Sequence, residues 1–139
     1  MKLLISGLSD ACTYNPKDRT YAIRIDSLLH PFQHNLTESG LWTAVKTYSF
    51  DDITPMFGRG ELFTEDTAER IILDFQEKIP EIDTLLVHCI RGKNRSPAVG
   101  IALNSLFLLG QDPQRLMEKH QETNWYVYNL LMNTGRKIL

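Results

Sequence analysis

Residues 83–110 read DTLLVHCIRGKNRSPAVGIALNSLFLLG. The opening six, DTLLVH, form a nearly continuous apolar run, as a strand buried on both faces of a parallel sheet requires. Residues 96–109 are strongly apolar again, with Pro97 in the first turn and Gly110 past the end, the usual marks of a helix and its limits. Cys89 to Arg95 therefore joins a central strand to a helix. That puts the loop at the carboxyl end of the strand, where α/β sheets place ligands.

The composition of this loop suits an anion. A helix N-terminus presents unpaired N–H groups and roughly half a positive charge. Gly92 permits tight curvature, so several N–H groups converge into a nest. Arg95 adds a planar fork that matches a tetrahedral oxyanion with two parallel hydrogen bonds. The same positive potential favours the thiolate of Cys89, which is the nucleophilic form. A phosphate held against a thiolate is an attack geometry as well as a binding site.

Working outward, KLLIS (2–6), TYAIRID (20–26) and AVKTYSF (44–50) read as further strands. Residues 27–40 read as a loop with room for a helical turn, and 51–63, with Pro55, Gly58 and Gly60, as a loop. Thr64 caps a helix expected over 65–78, with Glu65 and Asp66 at its positive end and Ile71, Ile72, Phe75 and Ile79 on one face. PQRLMEKH and NWYVYNLLMNTGRKI supply two more helices, and the aromatic cluster of the latter reads as helix packing rather than a ligand platform. Strands interleaved with helices predict an α/β fold. One domain is expected over 1–139, with a central, mostly parallel sheet of about four to five strands flanked by helices.

Bulk properties narrow the class. Of 139 residues, 42% are hydrophobic and 23% charged, with net charge −2, which argues against general nucleic-acid binding. No apolar run approaches the roughly 20 residues of a membrane span. Two cysteines make no disulfide framework, and with no export signal legible a reduced, cytoplasmic protein is expected. His30 and His34 flank Pro31 with no acidic or thiol ligand nearby, so no metal site is expected.

His88-Cys89, five residues, then Arg95-Ser96 resembles the signature of the cysteine-based protein tyrosine phosphatases, and its surroundings are most similar to the small dual-specificity branch. The likeness covers the signature, the strand before it, the helix after it and, more weakly, an upstream acidic loop. It implies that Cys89 attacks phosphorus to give a cysteinyl-phosphate. It implies that the loop Ile90, Arg91, Gly92, Lys93, Asn94 and Arg95 holds the phosphate, and that Ser96 hydrogen-bonds the sulfur. His88 would order the loop and support the thiolate; a satisfied core histidine is an equal reading. Ser96 also reads as an ordinary helix cap.

The resemblance also asks for an aspartate thirty to forty residues before the cysteine, to protonate the leaving oxygen. SFDDITP offers Asp51 and Asp52, the latter 37 positions before Cys89. Alternation past the strand favours Asp52 over Asp51. Arg91 and Lys93 depart from the common dual-specificity loop, which has alanine in place of Arg91. If they face the cleft they suit a polyanion.

These observations predict a cofactor-independent phosphomonoester hydrolase acting on phosphotyrosine or related phosphoproteins. Polyanionic substrates, either a phosphoinositide or an RNA 5′-triphosphate, are one alternative. A phosphate-binding module with weak or no turnover is another. A rhodanese-type sulfurtransferase also uses a cysteine loop, but Arg95-Ser96 and the upstream aspartates favour hydrolysis.

Overall fold

Every residue of Thr20–Asp26 and of Thr84–His88 is buried, as strands covered on both faces must be. The computed structural model describes residues 1–139 and places these two strands side by side. With β1 (Lys2–Ser6), β2 (Thr20–Asp26), β3 (Trp42–Ser49) and β4 (Thr84–His88), the sheet runs β1-β4-β2-β3, and every neighbouring pair is parallel. The mostly parallel sheet of the sequence reading is thus wholly parallel and four-stranded. β3 starts two residues earlier than expected, at Trp42.

The helices are α1 (Leu8–Thr13), α2 (Glu65–Lys78), α3 (Arg95–Phe107), α4 (Pro113–Lys119) and α5 (Trp125–Ile138). The bounds of α2 follow its cap: Thr64 Oγ1 accepts from the Thr67 N–H at 3.3 Å. Its stripe Ala68, Ile71, Ile72 and Phe75 is buried. Phe75 meets Tyr21 edge-on at 5.5 Å and Phe107 at 5.2 Å, and burying such a ring contributes roughly 2–3 kcal/mol. α3 is buried from Arg95 to Asn104, so it shows no amphipathic stripe. It ends two residues before the predicted Leu109, because Leu108 turns left-handed at φ 53° and the Asn104 side chain brackets Gln111, donating to its carbonyl at 2.9 Å and accepting from its N–H at 3.1 Å.

α1 was not anticipated. It has six residues, and Gly7 caps it without a side chain. Residues 27–40 contain no helical turn; instead the Asp26 carboxylate gathers the Ser27 N–H (2.8 Å) and the Phe32 N–H (3.1 Å) and folds the loop over the sheet.

Strand alternation sorts the two faces. Tyr21, Ile23, Ile25, Leu85, Val87 and Cys89 belong to the main core with α2, α3 and α5. Ala22, Arg24, Leu86 and His88 point the other way, beneath α1 and the 27–40 loop. No helix is long and apolar enough to cross a membrane.

Candidate active site

Cys89 follows the last residue of β4, is 2% exposed, and lines a cavity of about 170 Å³. Two groups reach its sulfur: the Gly92 N–H donates to it at 3.2 Å, and the Ser96 hydroxyl stands 3.2 Å from it, where either atom can be the donor. Both are the contacts a thiolate accepts best. Ser96 Oγ also lies 3.3 Å from the Ser6 carbonyl. One hydroxyl proton thus serves two acceptors, and it goes to the sulfur when the sulfur carries the charge.

The curvature of the loop is held from outside it. Gly92 has φ +73°, a left-handed value. A Cβ there would stand 2.4 Å from the Gly7 nitrogen, and a Cβ on Gly7 would stand 3.0 Å from the Ile90 oxygen. The β1–α1 turn is therefore pressed backbone to backbone against the loop. The Leu8 N–H accordingly donates to the Ile90 carbonyl at 2.9 Å, turning that oxygen away from the cavity. At the far end Asn94 caps α3 with no side-chain bond to the helix N–H groups; its amide instead donates to the Glu122 carbonyl at 2.6 Å.

Arg95 is 7% exposed, yet no carboxylate neutralises it. Its Nη1 donates to the Phe50 carbonyl (2.8 Å), the Ser27 hydroxyl (3.1 Å) and, at 3.5 Å, the Asp26 carbonyl. These acceptors lie at the carboxyl ends of β2 and β3. They fix the plane of the guanidinium and leave its other edge to face the cavity it lines with Cys89.

His88 is wholly buried. The cationic Arg24 donates from Nε to its Nε2 at 2.9 Å, so Nε2 is the acceptor and the ring proton sits on Nδ1, which donates to the Cys89 carbonyl at 3.2 Å. Burial first, and the Arg24 charge after it, bring the imidazole down to about 4. His88 therefore acts on the loop through a neutral hydrogen bond, not a positive charge. Arg24 is itself held by the His34 carbonyl at 2.7 Å and lies 4.8 Å over the Phe32 ring.

The two aspartates separate cleanly. Asp51 turns into its own loop, where its carboxylate accepts from the Glu61 N–H at 2.6 Å. Asp52 lines the cavity with Cys89, Arg91 and Arg95. Its Oδ1 accepts from the Asn124 amide at 2.9 Å, and the same amide reaches the Ile53 carbonyl at 3.2 Å. Asn124 also caps α5 through Val127, and its N–H donates to the Asn94 carbonyl at 3.0 Å. It ties the acid loop, the signature loop and α5 together.

The two extra cations also part. Arg91 lines the cavity, whereas Lys93 turns toward Glu122, 4.0 Å away, in a separate groove of α4 and the loop after it. The joint placement considered from sequence does not hold for Lys93. His30 and His34 gather no partners: nowhere do three His, Cys, Asp or Glu side chains converge in a way that would hold a metal ion. Ser6, Gly7, Arg24, Ser27 and Asn124 are the site neighbours that the sequence reading did not pick out.

No protein-family model matches the chain, and no curated protein matches it. Solved structures do. A crystal structure of PTPMT1 in complex with PI(5)P superposes with TM-score 0.57 at 13% identity, covering 99% of this chain and 92% of that one. A second PTPMT1 crystal structure gives TM-score 0.56 at 15% identity over 99% and 91%. A mutant form of Tk-PTP gives 0.52 at 15% identity over 98% and 93%. The fold is that of the small cysteine-based protein tyrosine phosphatase-like proteins.

Proposed function

We propose that this chain, as one phosphatase-like domain over residues 1–139, hydrolyses phosphomonoesters through a cysteinyl-phosphate. One observation carries the reading: the sulfur of Cys89, which accepts from the Gly92 N–H and touches the Ser96 hydroxyl, shares a cavity with a buried, uncompensated Arg95 and with Asp52. In the first step the thiolate attacks phosphorus in line. The P–S bond forms, the P–O ester bond breaks, and Asp52 gives its proton to the departing oxygen. In the second, water attacks phosphorus, Asp52 takes back a proton, and the P–S bond breaks. The Ser96 hydroxyl receives the sulfur as it regains its charge. Arg95 and the loop N–H groups bind the equatorial oxygens throughout. None of these steps requires a metal or organic cofactor.

The substrates that fit best are phosphotyrosine and related phosphoproteins, since the cavity is small and its one buried guanidinium, Arg95, matches one phosphoryl group. A polyanionic substrate is the second reading. Arg91 at the cavity supports it, as does the fold likeness to a protein crystallised with PI(5)P.

Phenyl phosphate is the direct test. The wild type is expected to turn it over without added metal. Cys89→Ser is expected to be inactive while still binding it, because the nest and Arg95 remain. Asp52→Asn should lose roughly 10²–10⁴ in kcat, with a smaller loss for a nitrophenyl leaving group that needs no proton. Turnover by Cys89→Ser near the wild-type rate would remove the sulfur from the mechanism.

A further inference from the structure

Asp52 lines two cavities. One is the small cavity of Cys89 and Arg95. The other, of about 410 Å³, runs between the acid loop and the start of α5 and is walled by Ile53, Phe57, Trp125 and Tyr126. The group that protonates a leaving oxygen thus stands on the partition between the phosphoryl site and this groove. Whatever is bonded to that oxygen has to emerge beside Asp52.

The groove wall is built rather than floppy. The acid loop is closed at its base by two bonds between Asp51 and Glu61: the Asp51 N–H donates to the Glu61 carbonyl at 2.8 Å, and the Glu61 N–H donates to the Asp51 carboxylate at 2.6 Å. Its tip is closed by reciprocal Thr54 and Phe57 bonds at 3.0 and 3.2 Å. That tip holds Phe57 74% exposed. Trp125, which lines the same groove, is 38% exposed and is braced edge-on by Tyr128 at 5.3 Å. Neither ring belongs to the core, where α5 spends Val127, Leu131 and Met132. The aromatic cluster that looked like helix packing in the sequence is therefore split, its first ring left facing the groove.

We propose that this groove is the leaving-group subsite and selects esters whose organic part carries an aromatic ring beyond the first. The inference rests on the phosphatase reading above. Phe57 and Trp125 both line this open channel and offer it exposed aromatic rings. A planar ring stacks there at little conformational cost, whereas a flexible alkyl chain gives up rotamer freedom for the same area. A second ring burying roughly 60 Å² corresponds to about a tenfold gain in affinity.

The test is calorimetric binding to the Cys89→Ser protein, with phenyl phosphate, biphenyl-4-yl phosphate and octyl phosphate as probes and phenyl phosphate turnover by the wild type measured alongside. The biphenyl ester is expected to bind about tenfold tighter than the phenyl ester. Phe57→Ala, a change at an exposed tip, should reduce that gain to under about threefold while leaving phenyl phosphate binding and turnover unchanged. Trp125→Ala should do the same. No gain for biphenyl, or a gain that survives both substitutions, overturns the subsite. An octyl gain as large as the biphenyl gain overturns its aromatic character. Loss of the phosphatase reading shows separately, as a wild type that does not hydrolyse phenyl phosphate although the biphenyl gain is present.

Discussion

The neutral His88 makes stability depend on pH within a defined window. In an unfolded chain the imidazole takes its proton near pH 6.5, whereas burial and then Arg24 bring the folded group down to about 4. Between those values the unfolded state binds a proton that the native state does not. The contribution is fully present above about pH 6.5 and is lost as pH falls toward 4, by about 1.4 kcal/mol per unit. From pH 7 to pH 5 this one group then accounts for about 2 kcal/mol, or a fall in Tm of roughly 6–8 °C for a chain of this size. His88→Gln removes the titration and keeps an oxygen to accept from Arg24. Burial and Lys119 also lower His120, which leans the same way, but that slope is common to both proteins and cancels in the difference. Denaturant titrations at pH 5, 6 and 7 should show the His88→Gln curve flatter by about 2 kcal/mol across the range. Parallel curves, or an NMR titration showing the His88 ring protonated at pH 6, would refute the argument.

Three further outcomes follow from the site geometry. Gly7→Ala keeps an ordinary backbone (φ −87°) but drives a Cβ to 3.0 Å from the Ile90 oxygen, so kcat/KM for phenyl phosphate should fall at least about tenfold with a much smaller change in melting temperature. Asn124→Ala removes the donors to Asp52 and Ile53 together with the α5 cap; kinetics should show a kcat loss concentrated on esters with poor leaving groups, and melts a cost of about 1 kcal/mol. Arg91→Ala should weaken inhibition by an inositol polyphosphate, while Lys93→Ala, whose ammonium turns toward Glu122, should leave it within about twofold at moderate salt.

The parts of this fold that were legible are those whose signal is local. The apolar run before Cys89, Gly92 in the loop and Pro97 after it announce strand, turn and helix within a few residues of one another. Thr64 marks the start of α2 because a cap acts three residues away. Strand alternation favoured Asp52 over Asp51 but left both open; the cavity lining separates them. What escaped was set by distant partners. Gly7 matters through Gly92, Arg24 through His88, and Asn124 through Asp52, each pair more than sixty residues apart. α1 escaped for a related reason. Six residues are too few for propensity to declare a helix, and packing against β4 decides it. Lys93 and Arg91 could not be told apart from sequence, since a one-turn rotation of a loop sends neighbouring side chains to different grooves.

The backbone contact between Gly7 and Gly92 also has a bearing on how the molecule assembles. β1 is an edge strand whose partner is β4, with Lys2 opposite Thr84 and Ser6 opposite His88. A chain in which β2, β3 and β4 have collapsed while β1 is still undocked holds the whole signature but lacks the wall that bends it. Such a species would lack the Gly7 backbone that presses against Gly92 and bends the loop. An oxyanion that recognises only the bent loop then acts as a ligand of the docked state. By mass action it draws β1 onto the sheet, by about 2.7 kcal/mol at a hundredfold excess over its Kd. Docking of the first strand and occupancy of the loop are on this view a single equilibrium, and the choice of buffer anion becomes a choice of conformation.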